Sequence, residues 1–273
     1  MGVYLRPAEL PDALRALSSQ RLTVLAGGTD FYPARVGKPL DDDVLDITAL
    51  GGLRGISDAG GRHRIGALAT WTDVIRADLP PWFDGLKLAA REVGGMQVQN
   101  TGTVVGNVCN ASPAADGVPN LLALDAEVEL ASHAGTRSVP LAQFVAGNRR
   151  TTRRADEIVT ALLIPKPRHP ARATFLKLGA RKYLVISIVM VAAVIETDGG
   201  KVANARVAVG SCSEVAQRLP ALEAALRGQT LSPSLVRAEH LAPLKPIDDV
   251  RGSAAYRRDA ALTLVRRALK ELA

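Results

Sequence analysis

Apolar and polar positions change rhythm twice along this 273-residue chain, and three kinds of segment follow from that. In the first hundred residues, short apolar runs alternate with polar turns. Leu10, Ala13, Leu14 and Leu17 recur at helical spacing behind the Pro and Glu of "RPAELP", which predicts an amphipathic helix. "LTVLAGG" and "DVLDITAL" read as short buried strands, and "RIGALATWTDVI" as a strand running into a short helix. "GLKLAAREV" reads as a helix ended by Gly94 and Gly95. The rhythm then breaks. Residues 96–117 are polar, small and glycine-rich, and only after them come a helix, "VPNLLALDA", and a strand, "EVELAS". Long polar segments between strongly apolar elements are uncommon unless functional, so this one predicts backbone wrapped around a ligand.

"EIVTALLIP" closes this part as a strand. The stretch "PKPRHPAR", 165–172, holds three prolines and four basic residues and predicts a linker. Beyond it "ATFLKLGAR", "ISIVMVAAVIET" and "VANARVAVGS" read as strands, the last two joined by the turn "DGGK". Helices are expected at "LPALEAALRG", "PSLVRAEHLA" and "SAAYRRDAALTLVRRALKELA". These elements make an α+β layer of about one hundred residues, a sheet of roughly three strands backed by helices.

Composition narrows the chemistry. With 47% hydrophobic but only 4% aromatic residues, the core is built from small aliphatic side chains. The longest apolar run, "VISIVMVAAVI" at 185–195, is too short to span a bilayer, and no signal pattern opens the chain, so a cytoplasmic protein is expected. Cys109 and Cys212 are far apart, which argues against a cluster held by this chain alone. Scattered His63, His133, His169 and His240 argue against zinc. The net charge of +7 raises nucleic acid as a partner. Yet the densest basic cluster, Arg149, Arg150, Arg153 and Arg154, has no interleaved aromatic residues, and it reads as a solvated face or a protein contact.

Two glycine-rich turns remain, "AGGTD" at 26–30 and "TGTVVGN" at 101–107. Neither matches the G-x-G-x-x-G fingerprint or the P-loop. Both read as following a buried strand. As a pair they could hold a diphosphate from two sides through backbone N–H groups and short polar side chains. Glycine also serves wherever φ is positive, and Asp30 and Asp116 could be ordinary turn acids. The residues themselves leave both readings open. No side chain has the pattern of a general acid, base or nucleophile, which suits a protein whose chemistry is carried by a bound cofactor.

The ordered set "LAGGTDFYPARVGKP", "VLDITALGGLRGI", "RIGALATWTDVI", "NTGTVVGNVCNASPAADGVPNLLALDAEVELAS", "ADEIVTALLIP" and "FLKLGARKYLVISIVMVAAV" resembles the flavoprotein subunit of the xanthine dehydrogenase / carbon monoxide dehydrogenase family of molybdenum hydroxylases. The resemblance runs in register over almost the whole chain. It implies an α+β protein: an FAD-binding domain of the vanillyl-alcohol oxidase (PCMH) type over residues 1–168, made of two α/β subdomains that divide near residue 55. A smaller α+β C-terminal domain over 169–273 follows. It implies FAD on this chain, with molybdopterin and [2Fe–2S] clusters on a large and a small partner subunit, in a dimer of heterotrimers. Electrons would pass from the [2Fe–2S] clusters to NAD or another acceptor. A stand-alone FAD-dependent reductase and a flavin-free scaffold are the alternatives.

Carried over by position, Val24, Leu25, Ala26, Gly27, Gly28, Thr29, Asp30 and Phe31 would form the first FAD loop. Thr103, Val104, Val105, Gly106 and Asn107 would form the second, with Asn107 donating from its side chain. Asp116 matches an acid that accepts hydrogen bonds from FAD, Val159 and Lys177 match further cofactor contacts, and Ile186 would lie near the isoalloxazine ring. The second loop departs from the family's frequent Ile-Gly-Gly, so Val105 is expected to place a side chain beside the phosphates. Leu184 and Val185 stand where eukaryotic members carry an acidic pair, which leaves the acceptor open.

Overall fold

A computed structural model describes every residue except Met1, Lys38 and Leu40. Three main sheets organise an α+β chain. The first is parallel, with strands β1 (Tyr4–Leu5), β2 (Thr23–Leu25) and β3 (Val44–Asp46) in the order β1-β3-β2. Helix α1 (Leu10–Ser19) crosses from β1 to β2, starts with a proline in its first turn, and buries Ala13, Leu14 and Leu17 as their spacing predicts.

Strands β4 (Ile56–Ala59) and β5 (Arg62–Gly66) begin the second sheet. Between β5 and the next strand the chain makes five helices: α2 (Trp71–Arg76), α3 (Asp84–Glu92), α4 (Met96–Thr101), α5 (Val104–Asn110) and α6 (Gly117–Ala123). Strands β6 (Glu127–Ser132) and β7 (Gly135–Pro140) form a hairpin. Helix α7 (Leu141–Phe144) leads to the small hairpin β8 (Val145–Gly147) and β9 (Arg150–Thr151), and β10 (Ile158–Pro165) returns to the centre of an antiparallel sheet ordered β4-β5-β10-β6-β7.

Here one expectation is corrected. The second glycine turn follows helix α4, not a strand. Residues 96–110 are two short helices broken at Gly102, and Thr103 restarts the chain by accepting the N–H of Gly106 at 2.9 Å. α4 buries no side chain and α5 buries only Val104, Val105 and Val108, so neither stands out as a helix in the pattern.

The third sheet is antiparallel, β11 (Ala171–Leu178), β12 (Val189–Asp198), β13 (Lys201–Gly210) and the two-residue β14 (Gln217–Arg218), backed by α8 (Pro220–Leu226) and α9 (Ala254–Leu272). β12 is buried on both faces. Val189, Val191, Ala193 and Ile195 pack with α8 and α9, whereas Met190, Ala192 and Val194 join the core of the preceding residues. That is why it reads as one apolar run with no alternation. The helix expected at "PSLVRAEHLA" is instead two 3₁₀ turns, Pro233–Leu235 and Ala238–Leu241, with Val236 and Arg237 extended between them. Local bonds compete with the helix: Ser232 Oγ accepts Ser234 N–H at 3.3 Å, and His240 Nδ1 accepts Arg237 N–H at 3.1 Å.

Helix α6 lies against β12 and β13. Its C-terminal carbonyls are met by cations from the third sheet: Arg206 donates to Ala123 O at 2.7 Å and Arg218 to Leu122 O at 3.1 Å. Asp116, at the other end of α6, is thereby fixed relative to β11 and β12.

Candidate functional site

The chain leaves β2 at Leu25 and turns sharply. Among the described residues, the backbone N–H groups of Gly27, Gly28, Thr29, Asp30 and Phe31 find no acceptor. Such a run of free amides is the material of an anion-binding nest. The turn is tight for its own reasons as well. A Cβ on Gly27 would overlap the carbonyl oxygen of Thr101 and sit 2.8 Å from its carbon. Gly28 has φ +69°, a conformation that side chains disfavour. Thr29 Oγ1 lies 3.2 Å from where Gly102 would carry a Cβ. The two glycine turns, far apart in sequence, therefore pack directly on each other.

Of the expected first-loop residues, Val24, Leu25 and Ala26 spend their side chains on the core, and Gly27 to Phe31 present backbone. In the second loop Val104 and Val105 are both buried, 0% and 4% exposed. The Val105 side chain thus points into the core, which corrects the expectation that it crowds a phosphate. Its N–H has no acceptor among the described residues. Asn107 continues the surface: its side-chain Oδ1 is buried without a hydrogen-bond partner and lies 3.0 Å from the Cβ position of Gly117. A buried amide left unpaired calls for a ligand, and an amide group can offer either acceptor or donor.

Gly117 leads to the third feature. Asp116 receives Lys177 Nζ on Oδ2 at 2.7 Å and Ser187 Oγ on Oδ1 at 2.6 Å. The two charged side chains are 9% and 7% exposed. Burial pushes the Asp116 carboxyl above the usual carboxylate range, while Lys177 and Ser187 pull it back. This cluster ties α6 to β11 and to Ser187, two residues before β12. Ile186, next to Ser187, stays 53% exposed at its edge. Val159 stands apart, its side chain buried within β10, so only its backbone can serve a ligand.

Two members were not legible in the pattern. Ser187 is a lone hydroxyl in an apolar run, and that oddity was its only signal. Arg149 belongs to the basic cluster, yet its side chain meets Asn110 Oδ1 and lies 3.8 Å from Asp30 of the first loop.

The thiols lie outside this chemistry. Burial pushes Cys109 up to about 11, against the pull of Arg153, and Cys212 up to about 12. At pH 8 the folded chain is expected to resist iodoacetamide while the denatured chain takes it up at both cysteines, as intact mass will show. Among the described residues no group of His, Cys, Asp and Glu could hold a metal ion.

Residues 1–167 match the FAD binding domain in molybdopterin dehydrogenase, and residues 174–272 match the CO dehydrogenase flavoprotein C-terminal domain. The chain belongs to this family of flavoproteins. The flavoprotein is 31% identical to the glyceraldehyde dehydrogenase medium chain of Sulfolobus acidocaldarius, over 99% of this chain and 98% of that one. It is 29% identical to the xanthine dehydrogenase FAD-binding subunit of Escherichia coli O157:H7, covering 98% and 94%. Its fold superposes on a chain of carbon monoxide dehydrogenase from Hydrogenophaga pseudoflava with a TM-score of 0.89, at 28% identity and coverage of 98% and 96%. Its cofactor is FAD, as the matched domain specifies. Among the described residues of the flavoprotein no helix is long and apolar enough to cross a membrane.

Proposed function

We propose that this flavoprotein is the FAD-carrying electron-transfer subunit of a molybdopterin-dependent hydroxylase or dehydrogenase. It takes electrons from [2Fe–2S] clusters of a small partner subunit and delivers them to NAD or another acceptor, while a large molybdopterin subunit oxidises the substrate. A dimer of heterotrimers in the cytoplasm is the assembly this reading carries, with residues 1–168 as the FAD domain, dividing near 55, and 169–273 as the C-terminal domain.

The observation that carries the reading is the run of free N–H groups from Gly27 to Phe31, in a loop packed on the one that carries the free N–H of Val105. Those amides receive the diphosphate of FAD, with Thr29 and Thr103 lining the two turns. Asn107 uses its side-chain amide, whose buried Oδ1 is unpaired, on the cofactor. Asp116, held by Lys177 and Ser187, accepts from a hydroxyl or N–H of the cofactor, and Ile186 packs near the ring. Val159 contributes backbone only. Bound FAD supplies the ability to accept and release electrons; the chain's residues supply binding, orientation and electrostatics.

The test is the visible spectrum of the purified chain, alone and co-expressed with its partner subunits, with chromatography of what acid releases. Stoichiometric FAD is expected in the assembled protein. A protein without flavin in both preparations would overturn the reading.

A further inference from the structure

The first loop is acidic: Asp30 sits at the end of the free amides, 59% exposed. An anionic diphosphate placed there is favoured by a cation beside it, and the described cations that touch either loop or the Asp116 cluster differ in how far their partners occupy them. Arg35 reaches Phe31, but its guanidinium is held by both carboxylate oxygens of Asp42, at 2.5 and 2.7 Å, and by Phe31 O at 2.9 Å. Lys177 is committed to Asp116. Of the other clustered arginines, Arg150 meets Glu214, Arg153 donates to Glu157 O and Arg154 pairs with Glu157, and among the described residues none of the three is bonded to either loop.

Arg149 differs. It sits in the β8–β9 turn with φ +57°, pinned by its N–H to Ala111 O at 2.9 Å. From there its side chain spans from Asn110 at the end of α5 to Asp30, touching the surroundings of both loops at once. Asp30 is 3.8 Å away, too long for a hydrogen bond, and the guanidinium is 58% exposed, so most of its five donors are free.

We propose that Arg149 is a further cofactor-binding residue, whose guanidinium takes a phosphate oxygen of the dinucleotide at the mouth between the two loops. This rests on the FAD reading above. Guanidinium–phosphate pairing is directional and charge-assisted, and it exchanges a weak contact with Asp30 for a stronger one.

The experiment measures binding of FAD, and of riboflavin, which has no phosphate, to flavin-stripped chain by quenching of flavin fluorescence. Arg149→Asn is the main variant, because asparagine tolerates the left-handed backbone. It is expected to raise the Kd for FAD about tenfold or more, leaving riboflavin within about twofold. Arg149→Lys should fall between, and Asp30→Asn should tighten FAD by removing a repelling carboxylate. Unchanged FAD affinity in Arg149→Asn overturns the proposal. So does equal weakening of FAD and riboflavin in both Arg149→Asn and Asp30→Asn, which would make the arginine a loop clamp. Failure of the unmodified chain to bind FAD at all, even with its partner subunits, would overturn the cofactor reading itself and this inference with it.

Discussion

Gly27→Ala is expected to strip FAD from the protein, while Gly28→Ala, one residue on, keeps most of it, and both variants lose thermal stability. The difference lies in what each new methyl would meet. At Gly27 it runs into backbone: the Thr101 carbonyl group and, at 3.0 Å, the Cα of Gly102. Neither can rotate away. The α4–α5 junction is fixed by Gly102 N–H to Val98 O at 2.7 Å, Trp71 N–H to Gly102 O at 3.2 Å and Val104 N–H to Ala69 O at 3.0 Å. The first loop must therefore lift off the second, and the free amides of the two loops no longer share one surface. Overpacking of this kind costs about 1–3 kcal/mol, a fall in Tm of several degrees for a chain of this size. At Gly28 the methyl clashes with the ring of Tyr32, which is 53% exposed and can turn aside, and makes ordinary contact with Leu25 at 3.6 Å. The left-handed backbone adds a cost of about 1–2 kcal/mol for a residue with a side chain. Flavin content per chain and a calorimetric Tm read both effects. Normal flavin in Gly27→Ala would show that the two loops need not touch to hold the cofactor.

How much of this was legible in the sequence depended on how far apart the interacting residues are. Helix α1 and the long strands β12 and β13 follow from local spacing, because burial on one or both faces leaves a period or an unbroken apolar run. The short helix α4 left no such trace because it buries no side chain, and α5 buries only Val104, Val105 and Val108, too few positions to stand out in a polar, glycine-rich segment. The glycine turns were legible as a residue type. The reason for Gly27 was not, because it sits on Thr101, a neighbour supplied only by the fold. Likewise Asp116 and Lys177 are 61 positions apart, and only resemblance to a family singled them out. Ser187 and Arg149 are common residues in common settings. Their importance is entirely a matter of where the third sheet and the β8–β9 turn place them.

Asp116→Ala is expected to have the largest effect on stability. It leaves the Lys177 ammonium 7% exposed with its carboxylate partner gone. Breaking a buried pair from one side costs about 3–5 kcal/mol, far more than the intact pair contributes against a neutral substitute. A fall in Tm on the order of 10 °C follows. The pH dependence has a definite sign. Because burial raises the Asp116 carboxyl, the folded chain holds that proton more tightly than the unfolded one. This residue's contribution to stability is therefore greatest below the unfolded value and declines as pH rises through the folded one. Asp116→Ala removes that decline, so the stability gap between the two proteins should narrow as pH rises through that range. The double variant Asp116→Asn with Lys177→Met separates fold from function. With both charges gone, stability should recover by most of the loss, since a neutral pair of similar volume is tolerated in such a setting. FAD affinity should recover only in part, because the amide that replaces the carboxylate offers the cofactor one uncharged acceptor oxygen. Urea titrations of the three proteins at two pH values, with FAD binding measured alongside, provide the comparison. Full recovery of both stability and FAD affinity in the double variant would make the Asp116–Lys177 pair a strut between α6 and β11 and nothing more.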